Sequence, residues 1–282
     1  MHTQIRPRTL LTAVILLAAG AVVALGQESY TLEHKFEKGK TYRYAASAIS
    51  SVTQEMGGQE MHVAMESWFV PSIVLENQMP DGNLVLIYSA DSAKAHIKSP
   101  NMDSTMVMNR LIGKRTRLVI TPKGDVVRRE VIDTVKMDRL MSGLGLREMI
   151  RLPRLATGPV KMGDTWNVTQ DDTTDFGGGK IVTTTNLLYT LAGNEKVLGH
   201  DCLKITYAGT ATTAGKGTMM GMELFVEGSG KSAGTFFFDP GKGMFVRNEM
   251  KADNETTMAA TGQQNMTIPI SSTTEVTMSV KE

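Results

Sequence analysis

The sequence predicts a mainly β protein: a large curved antiparallel sheet or open half-barrel, in two similar halves, with one or two helices packed between or against them. Three observations predict it. Turn residues are frequent (27 glycines and 9 prolines) and punctuate runs rich in β-branched and aromatic residues. Only one stretch, near Lys136 to Leu152, sustains a helical period of apolar residues. Two hairpin patterns stand about half a chain apart: Leu118-Val119-Ile120-Thr121-Pro122-Lys123-Gly124-Asp125-Val126-Val127-Arg128 and Gly234-Thr235-Phe236-Phe237-Phe238-Asp239-Pro240-Gly241-Lys242-Gly243-Met244-Phe245-Val246. In each, proline presets φ for a turn corner and glycine takes the positive φ. The second turn is one residue longer, which favours a bulge there.

Residues 1–26 read as an export signal. His2, Arg6 and Arg8 form a basic n-region, Leu10 to Leu25 is an apolar run, and Ala24-Leu25-Gly26 offers small residues for cleavage before Gln27. The run is short for a membrane span, which takes about 20 residues, and no basic cluster follows it. The expected location is periplasmic or extracellular, with no stable span after cleavage.

The first half is expected over residues 27–135. After a lead-in, Lys38-Gly39-Lys40-Thr41-Tyr42-Arg43-Tyr44 opens a strand that turns at Gly57-Gly58, and Met61 to Leu75 returns. Pro80-Asp81-Gly82-Asn83 is a turn and Leu84 to Tyr88 a strand. Met102, Met106 and the Met108 to Ile112 region fit one short helix. The first hairpin follows. A helical connector over residues 136–156 is marked by Met137, Leu140, Met141, Leu144, Met149 and Ile150, with Pro153 as its stop.

The second half, residues 157–282, repeats the order. Met162-Gly163-Asp164-Thr165-Trp166-Asn167-Val168 matches the first strand opening in its glycine, threonine and aromatic. A polar strand, the Gly177-Gly178-Gly179 turn, a return strand over Lys180 to Leu191 and a strand from Cys202 to Tyr207 follow. Glycine-rich Thr210 to Met222 is read as a separator before Leu224-Phe225-Val226. Met250 to Val280 supplies two last strands around Pro269. Four features recurring in order indicate internal duplication.

Composition narrows the function classes. A net charge of +1 gives no bulk electrostatic case for binding nucleic acid. Cys202, the single cysteine, forms no internal bridge, and a chain of this length can fold on its core alone. No Gly-x-Ser-x-Gly elbow is present, and His34, His62, His96 and His200 are scattered, with His200-Asp201 read as a turn. Gly215-Lys216-Gly217-Thr218 lacks phosphate-loop spacing, and Asp171, Asp172 and Asp175 lack that of a calcium loop. No cofactor is implied.

The 20 methionines are the anomaly. Met61, His62 and Met65 could form a soft Cu(I) site, but on a strand Met61 and Met65 share one face and His62 takes the other. Methionine also lines adaptable apolar surfaces. The leading expectation is a non-enzymatic binding or envelope-structural protein holding an apolar, lipid-like ligand. Met65, Trp68, Phe69, Met106, Met141, Phe236 and Phe238 are the candidate lining residues. A secreted hydrolase, whose site would unite His, Asp or Glu and a hydroxyl, is the alternative.

The signal segment, the Gly-x-Thr-aromatic openings and the paired Thr-Pro-x-Gly and Asp-Pro-Gly-x-Gly hairpins resemble a family of exported bacterial β-rich proteins classed as a domain of unknown function. More distantly, the expected sheet is similar to periplasmic lipoprotein carriers and related lipid-binding β-proteins. That resemblance implies an apolar ligand on a concave face, and no catalytic residues.

Overall fold

A computed structural model describes residues 28–133, 152–219, 222–261 and 265–281. The expected signal segment and residues 136–151 of the expected helical connector over 136–156, including Met141, lie outside them; residues 152–156 are described and are not helical. The described residues form one open sheet of 12 strands, every pairing antiparallel. The strands are β1 (Thr41–Met56), β2 (Gln59–Gln78), β3 (Leu84–Ser99), β4 (Met102–Val107), β5 (Thr116–Ile120) and β6 (Val126–Val131). The rest are β7 (Thr165–Phe176), β8 (Gly179–Val197), β9 (His200–Met219), β10 (Met222–Asp239), β11 (Met244–Thr261) and β12 (Met266–Lys281). Their order is β6-β5-β3-β2-β1-β12-β11-β10-β9-β8-β7, with β4 beside the upper part of β3. Two meanders therefore meet back to back, joined where β1 pairs β12 from Arg43↔Lys281 to Gln54↔Ile270.

The recurring sequence features fall at corresponding places. Gly39 and Gly163 precede β1 and β7, the Gly57-Gly58 and Gly177-Gly178 turns close β1–β2 and β7–β8, and the two proline hairpins close β5–β6 and β10–β11. Both hairpins shift register, between Val119 and Ile120 and between Phe237 and Phe238, so the bulge is not confined to the longer turn.

Three expectations are corrected. Met102–Val107 is a strand, not the start of a helix. The lower part of β3 takes β5 as its partner, and Lys94 to Ser99 would be left with an open edge unless the next residues paired with it. Only Met108 to Ile112 turns tightly, with the Leu111 amide donating to Met108 O. Second, Thr210 to Met219 is the upper part of β9, not a separator. Third, Pro269 lies within β12 on a stretch projecting beyond the last β1 pair, so its missing N–H costs the β1 ladder nothing.

The core lies at the end of the sheet that carries the hairpin turns, here the base. Tyr44, Ile73, Leu86, Ile120, Leu191, Ile205, Phe236, Phe238 and Phe245 are fully buried, and the Tyr44 and Phe245 rings stack at 4.7 Å. A segment crossing the base covers this cluster. The His34 amide donates to Pro122 O at 2.7 Å, in the first hairpin turn, and the Lys35 amide donates to Gly243 O at 2.8 Å, in the second. Leu32 beside them is fully buried, and Lys123 Nζ reaches Leu32 O. The turn glycines serve this docking as well as the turns. A Cβ at Gly124 (φ +91) would meet Pro153 O at 2.6 Å, and one at Gly243 (φ +64) would meet Lys35 Cγ at 2.6 Å.

The sheet is rolled at this end. Arg154 stands between its two edges, with Nε 3.4 Å from Asp125 in the β5–β6 turn and a guanidinium N–H donating to Thr169 O on β7. Leu155 N donates to Lys123 O, and Trp166 Nε1 donates to Arg154 O. Residues 152–156 thus bridge β6 and β7 without the two strands pairing. The side on which these residues pack is called inner below. Glycines carry the curvature up the sheet: an inner-face Cβ at Gly209 would stand 1.9 Å from Asn186 O, and one at Gly217 2.0 Å from Phe176 O. Only bare backbone allows neighbouring strands this approach.

Two outcomes follow. Gly209→Ala should lower stability by about 2–3 kcal/mol through overpacking, whereas Gly193→Ala, with open space around its Cβ position, should leave the urea midpoint nearly unchanged. His34 is buried, its Nε2–H donates to Pro153 O at 2.8 Å, and its Nδ1 meets no partner among the described residues. Burial pushes its pKa down to about 4, against the raising effect of the Pro153 bond. The unfolded chain therefore takes up a proton near pH 6.5 that the folded chain refuses until about pH 4. Stability held above pH 6.5 should fall across that window by about 3 kcal/mol. Urea titrations at pH 7, 5.5 and 4 check this, and His34→Gln should flatten the dependence.

Candidate functional site

Alternation along the strands gives the sheet two chemically distinct faces. The inner-face residues are set by cross-strand register: Met65 pairs Ser50 and Ile97, Val63 pairs Val52, and Thr213 pairs Thr183 and Gly228. Above the core, the charged residues of β1–β3 and β8–β12 point outward. Glu66, Lys94, Lys98, Lys180, Lys216, Glu227, Lys251, Asp253 and Glu275 are examples, all exposed. On the inner face above the core, Asp172 on β7 is the one charged residue among the described residues. The inner side chains there are mostly half-buried, while their outward neighbours are exposed.

That inner face differs between the two meanders. On β1–β4 it is mixed: Val52, Met61, Val63 and Met65 are half-buried, Ile97 is buried and Met106 packs partly against the core opposite Ala95, while Ser50, Gln54, Ser67, Ser99 and Ser104 share the same face. On β7–β11 at the same height it is polar and small. Gln170, Thr185, Ala211, Gly230 and Asn254 form one row in register, and Asp172, Thr183, Thr213, Gly228 and Thr256 the next. Below these rows lie Trp166, Tyr189, Tyr207 and Phe236, with Trp166 stacked on Tyr189 at 5.4 Å. Above them lie Ile181, Val226 and Met258.

The expected lining residues divide accordingly. Met65, Phe69 and Met106 share the inner face; Met65 and Met106 are half-buried and Phe69 is closed core. Phe236 and Phe238 are fully buried at the base. Trp68 points outward, 39% exposed, with Lys94 Nζ 5.4 Å from its ring centroid. Residue parity separated it from Phe69. Asn254, Thr256, Thr183 and Thr213 escaped sequence reading because a glycine-rich separator, not a strand, was expected beside them.

The alternatives are placed as follows. Met61 and Met65 lie on the inner face, and His62 lies outside, bonded through Nδ1 to Thr53 Oγ1 at 2.9 Å. His200 is not simply part of a turn with Asp201: its Nδ1 lies 2.8 Å from Asp239 Oδ2. Asp239 Oδ1 accepts the Lys242 amide, so the carboxylate fastens both the second hairpin turn and His200. Burial raises the Asp239 pKa, but these bonds outweigh it and hold the group below the usual range. No Ser or Thr hydroxyl bonds the His200–Asp239 pair among the described residues. Cys202 is buried, and burial together with the Asp239 charge pushes its thiol up to about 11, which disfavours the reactive thiolate. No group of three or more His, Cys, Asp or Glu that could hold a metal occurs among the described residues. None of their helices is long and apolar enough to cross a membrane.

No family model matches the chain and no curated protein matches it, so the resemblance to exported bacterial proteins rests on its motifs alone. Among solved structures, the fold is similar to a chain described under lipid–protein interactions in lipovitellin, with TM-score 0.42 and 9% identity over 88% of this chain. This chain spans 26% of the length of that one. It is similar at 5% identity to Pseudomonas aeruginosa OccK5 (OpdH), with TM-score 0.24 over 87% of this chain and 99% of the other. It is also similar at 5% identity to Pseudomonas aeruginosa OpdQ, with TM-score 0.23 over 86% and 99%.

Proposed function

We propose that the protein is an exported, non-enzymatic binding protein that holds an apolar, lipid-like molecule on the inner face of its sheet. One observation carries this reading: above the core, charge is sorted almost wholly to the outer face. Solubility alone asks for charge on any wetted surface and gives no reason to withhold it from a half-covered one. An uncharged inner face is what an apolar ligand requires, since each ionised group facing it would lose hydration without a partner. Val52, Met61, Val63, Met65 and Met106 supply the apolar contacts of this face, among Ser50, Gln54 and Ser99, and the methionines supply adaptable contact. The charged outer face in turn opposes a lipid-facing role for that surface.

Native mass spectrometry of the protein from its own host, followed by organic extraction, should recover an apolar molecule in stoichiometric amount. Uptake of a neutral pyrene-labelled alkane should be saturable. Val63→Glu, on the inner face, should weaken that uptake by about tenfold or more. Ala64→Glu, one residue on and outward opposite Lys98, should leave it unchanged. Absence of both the co-purified molecule and the probe uptake would sink the proposal.

A further inference from the structure

We propose, resting on the binding reading above, that the polar band across β7–β11 seats the head of an amphiphilic ligand, and that this head is uncharged and rich in hydroxyl or amide groups. The band consists of the two register rows that contain Gln170, Thr185 and Asn254, and Thr183, Thr213 and Thr256. They lie about 7 Å apart along the strands. They interrupt an inner face that is aromatic below and aliphatic above, and at the same height β1–β3 carry Val52, Val63 and Met61 together with Gln54 and Ser99. A molecule lying along the inner face of β7–β11 therefore meets, between its aromatic and aliphatic zones, hydrogen-bonding groups that are neutral apart from Asp172 at the edge strand.

The band has capacity to spare. Asn254, Thr256 and Thr185 make no side-chain hydrogen bond to another described residue. Thr183 and Thr213 bond each other at 3.0 Å, which leaves one hydroxyl proton and further lone pairs between them. The floor beneath is kept low by glycine: a Cβ at Gly230 would lie 2.1 Å from Asn254 Oδ1, and one at Gly228 2.7 Å from Thr256 Oγ1. The Asn254 and Thr256 side chains lie over the bare backbone of Gly230 and Gly228.

Charge selects the class of head. No Lys or Arg lies on the inner face of β7–β11 above the core among the described residues. A carboxylate or phosphate would find no cation there and would face Asp172. A quaternary ammonium would find one carboxylate, on the edge strand, already accepting a bond from Gln170 Nε2 at 2.8 Å. A neutral polyol or amide head finds donors and acceptors without an unpaired charge on either side.

The test is a head-group series at fixed chain length on the purified full chain: a monoacylglycerol, the matching fatty acid and the matching alkyltrimethylammonium, each below its micelle threshold, with the neutral pyrene-alkane as reference. The monoacylglycerol should bind about tenfold or more tighter than either charged amphiphile. Thr213→Val and Asn254→Leu should reduce that preference to within about twofold, with the pyrene-alkane still bound. Equal binding of all three heads, preference for a charged head, or a preference indifferent to both variants, with the pyrene-alkane still bound, would overturn the head assignment alone. Failure of the chain to bind the pyrene-alkane and every amphiphile would overturn the binding reading and the head assignment with it. The head-group series on the unaltered chain decides the matter even where a variant fails to fold.

Discussion

A sheet one layer thick has to bury an apolar face without a second sheet to bury it against, and the rest of this structure depends on how that is done. The base is sealed by two short pieces of chain. One runs through Leu32, His34 and Lys35 and bonds both proline hairpins. The other, residues 152–156, stands between the outermost strands and is bonded to each side. Remove either and aromatic groups such as Tyr44, Phe236 and Phe238 would face water. Each buried ring contributes about 1.5–3 kcal/mol, so the covering segments matter well beyond their length.

The glycines follow from the same constraint. A flat sheet would present its inner face to solvent at full width. Rolling brings neighbouring strands so close on that side that Cβ atoms at Gly209 and Gly217 would collide with carbonyl oxygens of the adjacent strand. Curvature, coverage and the shape of the proposed binding surface are thus one physical problem, solved at the same residues.

Much of the fold was legible because local chemistry agreed with it. The proline hairpins, the glycine turns closing β1 and β7 and the Gly-x-Thr-aromatic openings need only neighbouring residues to be read. What escaped needed partners distant in sequence. Met102–Val107 has no strong strand pattern of its own and is a strand because the upper edge of β3 needs one. The glycines of β9 look like a loop until Asn186 and Phe176 are known to press on them. Among the candidate lining residues, Met65 and Met106 were recognisable as apolar and adaptable. The outward turn of Trp68 was fixed by its parity with Phe69, a period-2 signal that the run of aromatics obscured. The sorting of charge runs along β1–β3 and β8–β12, yet it becomes a property of a face only once register aligns one strand with the next.

The pairing of β1 with β12 has a bearing on how the molecule comes into being. Arg43 and Lys281 are partners at the centre of the sheet, so the first meander lacks a neighbour along its inner margin until residues near 281 have been made. Contacts this distant in sequence form slowly and late. A half-translated chain would carry a long, unpaired β1 edge, of the kind that recruits strands from other molecules. Synthesis and folding are therefore pulled apart in time. A chain held extended by chaperones until its last strand is available would avoid exposing that edge, and one left to fold from its first residues onward would not.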